Sequence, residues 1–265
     1  MSNLACSAGD NCVDHYLSPV DKHFLGGNAV NVAVALQRAG CQTSYVGFVG
    51  NDNDGTRMIK GLRDEGVDVS HVQVLSGNTA FTKVRLNSSG DREFIHEDLG
   101  PVNDFNLTPD DILFILSHRL VHNTWLGKTE NFLRDFKQAG NVIVSLDYGE
   151  RSSMKYIEET ISCVDISFFS VPENEYREAE DLVKRMYEKG PKMVIATAGS
   201  QGSYCFNGSI IFEPAVPVDV VDTLGAGDSY IGTFLAHFLK GKNIHTCMKN
   251  ASLAAAKTCT QFGAW

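Results

Sequence analysis

No run of Lys or Arg occurs anywhere in this sequence, and its formal net charge is −9. An acidic chain without a basic cluster is poorly suited to a nucleic-acid groove or an anionic membrane surface as its main partner. No stretch approaches the ~20 consecutive apolar residues that span a bilayer. The opening MSNLACSAGDNC has neither the basic start nor the long apolar run of a secretion signal, so a soluble, cytoplasmic protein is expected. The seven cysteines are an odd number, irregularly spaced and without a C-x-x-C pair. That pattern indicates neither a disulfide framework nor a zinc site, and it reads as small core residues and free thiols.

Two familiar nucleotide-binding signatures are also missing. Gly127-Lys128-Thr129 resembles the end of a P-loop, but the glycine needed five positions before Gly127 is His122. After Gly225-Ala226-Gly227 the next glycine is Gly232, two positions too late for a G-x-G-x-x-G turn. A dehydrogenase reading loses most of its support.

What is present is enough apolar material for a large core. A chain of 265 residues with 43% hydrophobic residues suits one large α/β domain, with or without a small appendage. Short apolar runs at 44–50, 141–147, 166–171 and 193–199 are too brief for helices and too continuous for half-exposed strands. They predict strands buried on both faces, as in a parallel sheet covered by helices. Helix-like segments at 28–40, 56–66, 129–140 and 174–190 lie between them, each ending on Gly. The alternation predicts a doubly wound, mostly parallel α/β sheet. From 71 to 98 the pattern changes to two-residue alternation with turn residues at 77–78 and 88–91. This predicts a small antiparallel lid within about 71–98, together with about 15–25.

Three stretches carry candidate chemistry. In DTLGAGDSYIGTFLAHFLKG a helix is expected to start near Asp228 and end at Gly241, so that Gly225, Ala226 and Gly227 present backbone N–H groups at its positive end. Such a turn can hold an anion or stabilise a phosphoryl group in flight; the alternative is that Asp228 merely caps the helix. In FLGGNAVNVAVALQRAG the helix is apolar on nearly every side, yet Asn28 and Asn31 share one face near its start, after Gly26-Gly27. Buried amides need partners, which a polyhydroxylated ligand near the bare glycine backbone would supply, or else a satisfied core would. In VIATAGSQGSYCF a buried strand ends at Thr197 and turns through Gly199 and Gly202. Ligands of open α/β sheets bind beyond such strand ends, although an ordinary glycine turn looks the same.

Together with GDNCVDHY and VGNDNDGTRMIKGLRDEGVDVSHV, these stretches resemble the ribokinase-like, or PfkB, family of carbohydrate kinases, essentially from end to end. Within it, GDNCVDHY, GDREF and AAAKTCTQFGAW are most similar to the fructoselysine 6-kinase branch. The resemblance implies a ribokinase-like fold and transfer of phosphate from ATP, with Mg²⁺, to a primary sugar hydroxyl. It makes Asp228 the catalytic base and Gly225, Ala226 and Gly227 the anion hole. Asp14, Gly27, Asn28 and Asn31 fall where the family holds sugar hydroxyls, with Arg92 as a further lid contact. Thr197, Gly199 and Gly202 match nucleotide-binding positions, and the region around Ser252 borders the adenine. Asp222 matches a carboxylate that some relatives use to hold a monovalent cation such as K⁺.

Some family elements are altered. Where relatives carry Asn-x-x-Glu for water-mediated Mg²⁺ binding, this chain reads Glu173-Asn174-Glu175-Tyr176, which leaves Glu173 and Glu175 as candidate substitutes. Asp-x-Asn-x-Arg appears only as Asp147-Tyr148-Gly149-Glu150-Arg151, so Asp147 at a strand end is a site candidate and Arg151 a weaker one. The sequence ends at Gly263-Ala264-Trp265, before the cation ligands of some relatives, which argues against cation activation. Other sugars or a nucleoside remain alternative acceptors, and a non-catalytic sugar- and nucleotide-binding module is the alternative to an enzyme. Exposed hairpin edges in the lid would suit a homodimer.

Overall fold

The computed structural model describes residues 4–18, 20–86, 92–150 and 152–265. Its large sheet takes β1 (Leu4–Gly9), β4 (Gln42–Gly50), β5 (Asp68–Leu75), β8 (Leu120–Thr124), β9 (Ile143–Asp147), β10 (Ile166–Ser170), β11 (Met193–Thr197), β12 (Ser203–Phe206) and β13 (Ile210–Glu213). The order is β13-β12-β11-β10-β9-β8-β1-β4-β5. Every neighbouring pair from β5 to β11 is parallel, and β12 and β13 close one edge as an antiparallel pair.

The strands are apolar on both faces because both faces are covered. Phe168 and Ile195 point into a cluster with Leu36 of α1 (Asn28–Arg38), Phe234 of α7 (Ala226–Leu239) and Met248 of α8 (Ile244–Thr258). Their neighbours Phe169 and Val194 point the other way. There they meet Ile115 of α3 (Pro109–Leu116), Phe136 of α4 (Leu133–Ala139), Ile157 of α5 (Met154–Thr160) and Val183 of α6 (Ala179–Tyr187). Each fully buried side chain of this size contributes roughly 1.5–3 kcal/mol of apolar burial. Gly40, Gly66 and Gly140, just past the ends of α1, α2 (Asn53–Asp64) and α4, take left-handed φ values of 83°, 81° and 75°, which accounts for the glycine punctuation.

A second, four-stranded sheet is ordered β3-β2-β6-β7, from β3 (Lys22–Gly26), β2 (Cys12–Tyr16), β6 (Phe81–Leu86) and β7 (Arg92–Asp98). Its outer pairs are antiparallel, whereas β2 and β6 in the middle run parallel. The expected lid range therefore needs correction at its start. Residues 68–75 form the outermost strand of the large sheet, so the turn at 77–78 is a passage between sheets and no hairpin. As an edge strand with one half-exposed face, β5 shows the same alternation as a hairpin arm. The turn at 88–91 lies outside the described residues.

Candidate functional site

The carboxyl ends of the parallel strands converge on the start of two helices. The N-cap of α7 is Gly225, with φ 73°, a left-handed conformation that favours glycine. A Cβ there would also lie 2.3 Å from Cβ of Ala264. Asp228 is thus the third residue of α7, and the capping alternative fails: its Oδ2 accepts a bond from Nδ2 of Asn31 at 2.8 Å. The first N–H groups of a helix lack intrahelical partners. Here the Ala226 N–H turns to the Thr223 carbonyl at 3.2 Å, so the expected anion hole narrows to its flanking glycine amides. Gly227 faces open space where a Cβ would be.

Asn31 reaches Asp228 because α1 and α7 cross very closely. At the crossing, a Cβ on Gly232 would lie 2.5 Å from Cβ of Ala35 and 2.8 Å from the Val32 carbonyl oxygen. Asn31 and Asp228 each lie one turn before this contact. The other end of the Asn31 amide, Oδ1, accepts from the indole N–H of Trp265 at 3.0 Å. Both ends of that amide are therefore satisfied within the protein, which favours the core alternative for Asn31.

The start of α1 is held by a residue that lies outside all three candidate stretches. Its N-cap, Gly27, has no side chain, and the buried Asp10 caps from outside. The Asp10 carboxylate accepts from the N–H groups of Asn28 at 2.9 Å and Ala29 at 3.4 Å, and from the Thr124 hydroxyl. Gly27 has φ 102°, and a Cβ on it would lie 2.3 Å from Cα of Asn11. Its bareness serves packing against the chain itself. Asp14, buried on β2, lies where a Cβ on Gly26 would come within 2.8 Å of its Oδ2. The Arg92 side chain and Arg151 lie outside the described residues.

Asn28, Asp147, Gly225 and Asp228 line one cavity of about 170 Å³. Burial pushes Asp147 up to about 6, with the Asp10 charge adding to the shift and a bond from the Gly149 N–H opposing it. Burial also holds Asp228 well above the usual carboxylate range. The Asn31 amide opposes that shift, while Asp147, Asp10 and Asp14 reinforce it. The site thus concentrates carboxylates that take up protons readily.

A larger cleft of about 660 Å³ adjoins this cavity, and Ser170, Thr197 and Gly227 line both. Gly199, Gly202 and Ser252 border the larger cleft, and Val216, Val220 and Ala255 give it apolar walls. Gly199 and Gly202 take φ values of 51° and 101°. A polar rim around apolar walls at this volume fits a nucleotide-sized ligand.

The candidate metal carboxylates are engaged differently. Glu173, at the start of a 3-10 turn, accepts from the Ser200 N–H at 2.8 Å and its hydroxyl at 3.1 Å, bracing the 199–201 turn. Glu175 is exposed and does not line the cleft. The buried Asp222 accepts from the Tyr16 hydroxyl at 2.7 Å and from the N–H groups of Leu224 at 3.0 Å and Gly263 at 3.2 Å. It ties the small sheet to the loop before α7. His15 and His23 of the small sheet and Asp54 of α2 bring ligand atoms within 4.8 Å of one another. Arg57 already pairs with Asp54 at 2.7 Å and Lys83 lies across from His15, so cations surround that cluster.

Residues 14–265 match the model of the pfkB family carbohydrate kinases. The chain is 34% identical over 263 residues to the fructosamine kinase FrlD of Bacillus subtilis, covering 98% of this chain and 92% of that one. It is 35% identical over 269 residues to the fructoselysine 6-kinase of Escherichia coli, covering the whole of both. Among solved structures, a putative ribokinase II from E. coli in complex with ATP and Mg²⁺ superposes with a TM-score of 0.83 at 21% identity, covering 100% of this chain and 94% of that one. The chain belongs to the pfkB family of carbohydrate kinases and is an ATP-dependent carbohydrate kinase.

Proposed function

We propose that this kinase phosphorylates the 6-hydroxyl of fructoselysine or a related fructosamine, with Asp228 as general base. The acceptor is inferred from the names of the two relatives, which match this chain over nearly its full length. The observation that carries the mechanism is the position of Asp228. It stands at the positive end of α7, in the smaller cavity and next to Gly227, which both cavities share. Among the described residues no protein donor is paired with its Oδ1, while Asn31 holds Oδ2.

The reacting end of the acceptor would occupy the smaller cavity, beside Asn28 and Asp147, with Asp14 of β2 among the carboxylates that face Asp228. The nucleotide fits the larger cleft, with Thr197, Gly199 and Gly202 around its phosphates and Ser252 beside its base. MgATP supplies the phosphoryl group and a cation that spreads its charge. Asp228 takes the proton as the acceptor O–H bond breaks; the new O–P bond forms and the bond to the leaving ADP oxygen breaks. The helix dipole and the amides of Gly225 and Gly227 stabilise the negative charge on the moving group.

Among the described residues Glu173 and Glu150 are the carboxylates that line the cleft, so Mg²⁺ would be held chiefly by phosphate oxygens and water. We assign Asp222 a bracing role, with K⁺ left to the assay. A reaction that consumes ATP suits the cytoplasm; separately, no described helix is long and apolar enough to cross a membrane. The small sheet ends in the edge strands β3 and β7, whose unpaired backbone groups suit pairing with a second copy.

The test is ADP release in a coupled assay with fructoselysine, fructose, ribose and adenosine, with and without K⁺. Fructoselysine is expected to give the highest kcat/KM, and a preference for another acceptor refutes the assignment. Asp228→Asn is expected to remain folded, bind ATP and lose at least about 100-fold in turnover. Near-normal turnover removes Asp228 from the role of base.

A further inference from the structure

We propose that Trp265 is a positioning residue for the base: its indole N–H fixes which end of the Asn31 amide faces Asp228. The proposal rests on the reading of Asp228 as the base. An amide side chain has a donor end and an acceptor end of nearly the same shape, and a half-turn exchanges them. Its neighbours must decide which end points where.

Here both neighbours are unambiguous. The indole of Trp265 can only donate, and it lies 3.0 Å from Oδ1 of Asn31. An ionised Asp228 can only accept, and its Oδ2 lies 2.8 Å from Nδ2. Turning the amide over would set N–H against N–H at one end and oxygen against a carboxylate oxygen at the other. The Trp265 bond therefore holds the donor end toward the base.

Each member of the relay is firmly seated. The Asn31 N–H bonds to the Gly27 carbonyl at 2.8 Å within a buried helix. The Trp265 ring packs on α2, where a Cβ on Gly61 would lie 3.2 Å from the ring carbon Cη2. Leu25 of β3 approaches the same spot at 2.5 Å, so the indole is wedged between the helix and the small sheet. Around Asp228 the facing charged groups are Asp147 at the end of β9, Asp10 after β1 and Asp14 on β2, all carboxylates. Among the described residues the Asn31 amide is the side-chain group paired with Asp228 that favours its ionised form.

The experiment compares Trp265→Phe and Trp265→Leu, both lacking the donor but differing in packing, with Asp228→Asn in parallel. Steady-state kinetics with fructoselysine and MgATP are read across pH, together with melting temperatures. Both Trp265 variants are expected to lose about tenfold or more in kcat, the scale of a bond to a charged group. KM for both substrates should stay within about twofold, because neither is touched by the indole. The acid limb of kcat/KM should move to higher pH, since a freed amide can turn its oxygen toward Asp228 and disfavour the charged base.

A Trp265→Phe protein with wild-type kcat and acid limb overturns the proposal. Losses that follow the fall in melting temperature from Phe to Leu, or that reside in KM alone, also overturn it by reducing Trp265 to a packing residue. If Asp228→Asn keeps its turnover, the base assignment itself fails, and the Trp265 proposal fails with it. If Asp228→Asn is inactive while Trp265→Phe is normal, the positioning role alone falls.

Discussion

Gly232→Ala should damage the active site from a distance, through the crossing of α1 and α7. The added Cβ would lie 2.5 Å from Cβ of Ala35 and 2.8 Å from the Val32 carbonyl oxygen. Carbon atoms pack at about 3.5–4.0 Å, so the helices must separate by about 1 Å. Asn31 and Asp228, one turn upstream on the same helices, start at 2.8 Å. The same separation carries them to about 3.8 Å, outside hydrogen-bond range.

Three contributions set the effect on stability. Alanine in place of a mid-helix glycine gains roughly 0.5–1 kcal/mol. Overpacking costs about 1–3 kcal/mol, and a lost bond to a charged group about 1.5–3 kcal/mol. The losses win, with a net destabilisation of about 2 kcal/mol or more. Turnover should fall by about tenfold, because the base loses the group that orients it. Urea unfolding and coupled ADP release measure the two effects. The double variant Ala35→Gly with Gly232→Ala removes the closest contact and should recover part of both losses. If Gly232→Ala alone has wild-type stability and wild-type kcat, the crossing does not set the Asn31–Asp228 geometry.

Asp147→Asn should stabilise the ligand-free protein at neutral pH. A carboxyl raised from 3.8 to about 6 costs the folded state about 3 kcal/mol once ionised. Below the unfolded value both states are protonated and there is no penalty. The penalty develops as pH rises through the window from about 4 to about 6. The variant's gain in melting temperature should therefore be present at pH 7–8 and absent below about pH 4, and a gain independent of pH refutes the burial argument. Tyr16→Phe removes the 2.7 Å bond to Asp222, one of several that hold this buried carboxylate. It should cost about 1–3 kcal/mol in urea unfolding, and an unchanged midpoint would show that the small sheet is not braced there.

Those features of the fold that depend on local pattern could be read from the sequence. The strands around 44–50, 166–171 and 193–197 are continuous apolar runs because helices cover both faces, and the glycines at 40, 66 and 140 mark real helix ends. The strand Leu4–Gly9 gave no such signal, since LACSAG is built of small residues whose burial comes from position in the sheet. The strand Asp68–Leu75 misled because a half-exposed edge alternates as a hairpin does.

The glycine turn and Asp228 were legible as a motif, but their geometry was not. That Gly225 and not Asp228 is the cap follows from a left-handed φ, which only the folded chain fixes. Asn31 looked like a sugar ligand because its partners, Asp228 and Trp265, lie 197 and 234 positions away. Asp10 was invisible as a cap for a similar reason. It stands on a different strand end from the helix it serves, and the cap position itself holds only glycine.

The parallel pairing at the middle of the small sheet sets the order in which the molecule can assemble. Val13 pairs with Phe81 and Tyr16 with Val84, and parallel neighbours cannot be joined by a tight turn. Between them, after the hairpin partner β3, the chain forms α1, β4, α2 and β5, which belong to the large sheet and its helical cover. The loop-closure cost of bringing β2 and β6 together is met only once those elements have folded and drawn the ends near. The small sheet is therefore completed late, after the elements that draw its two central strands together.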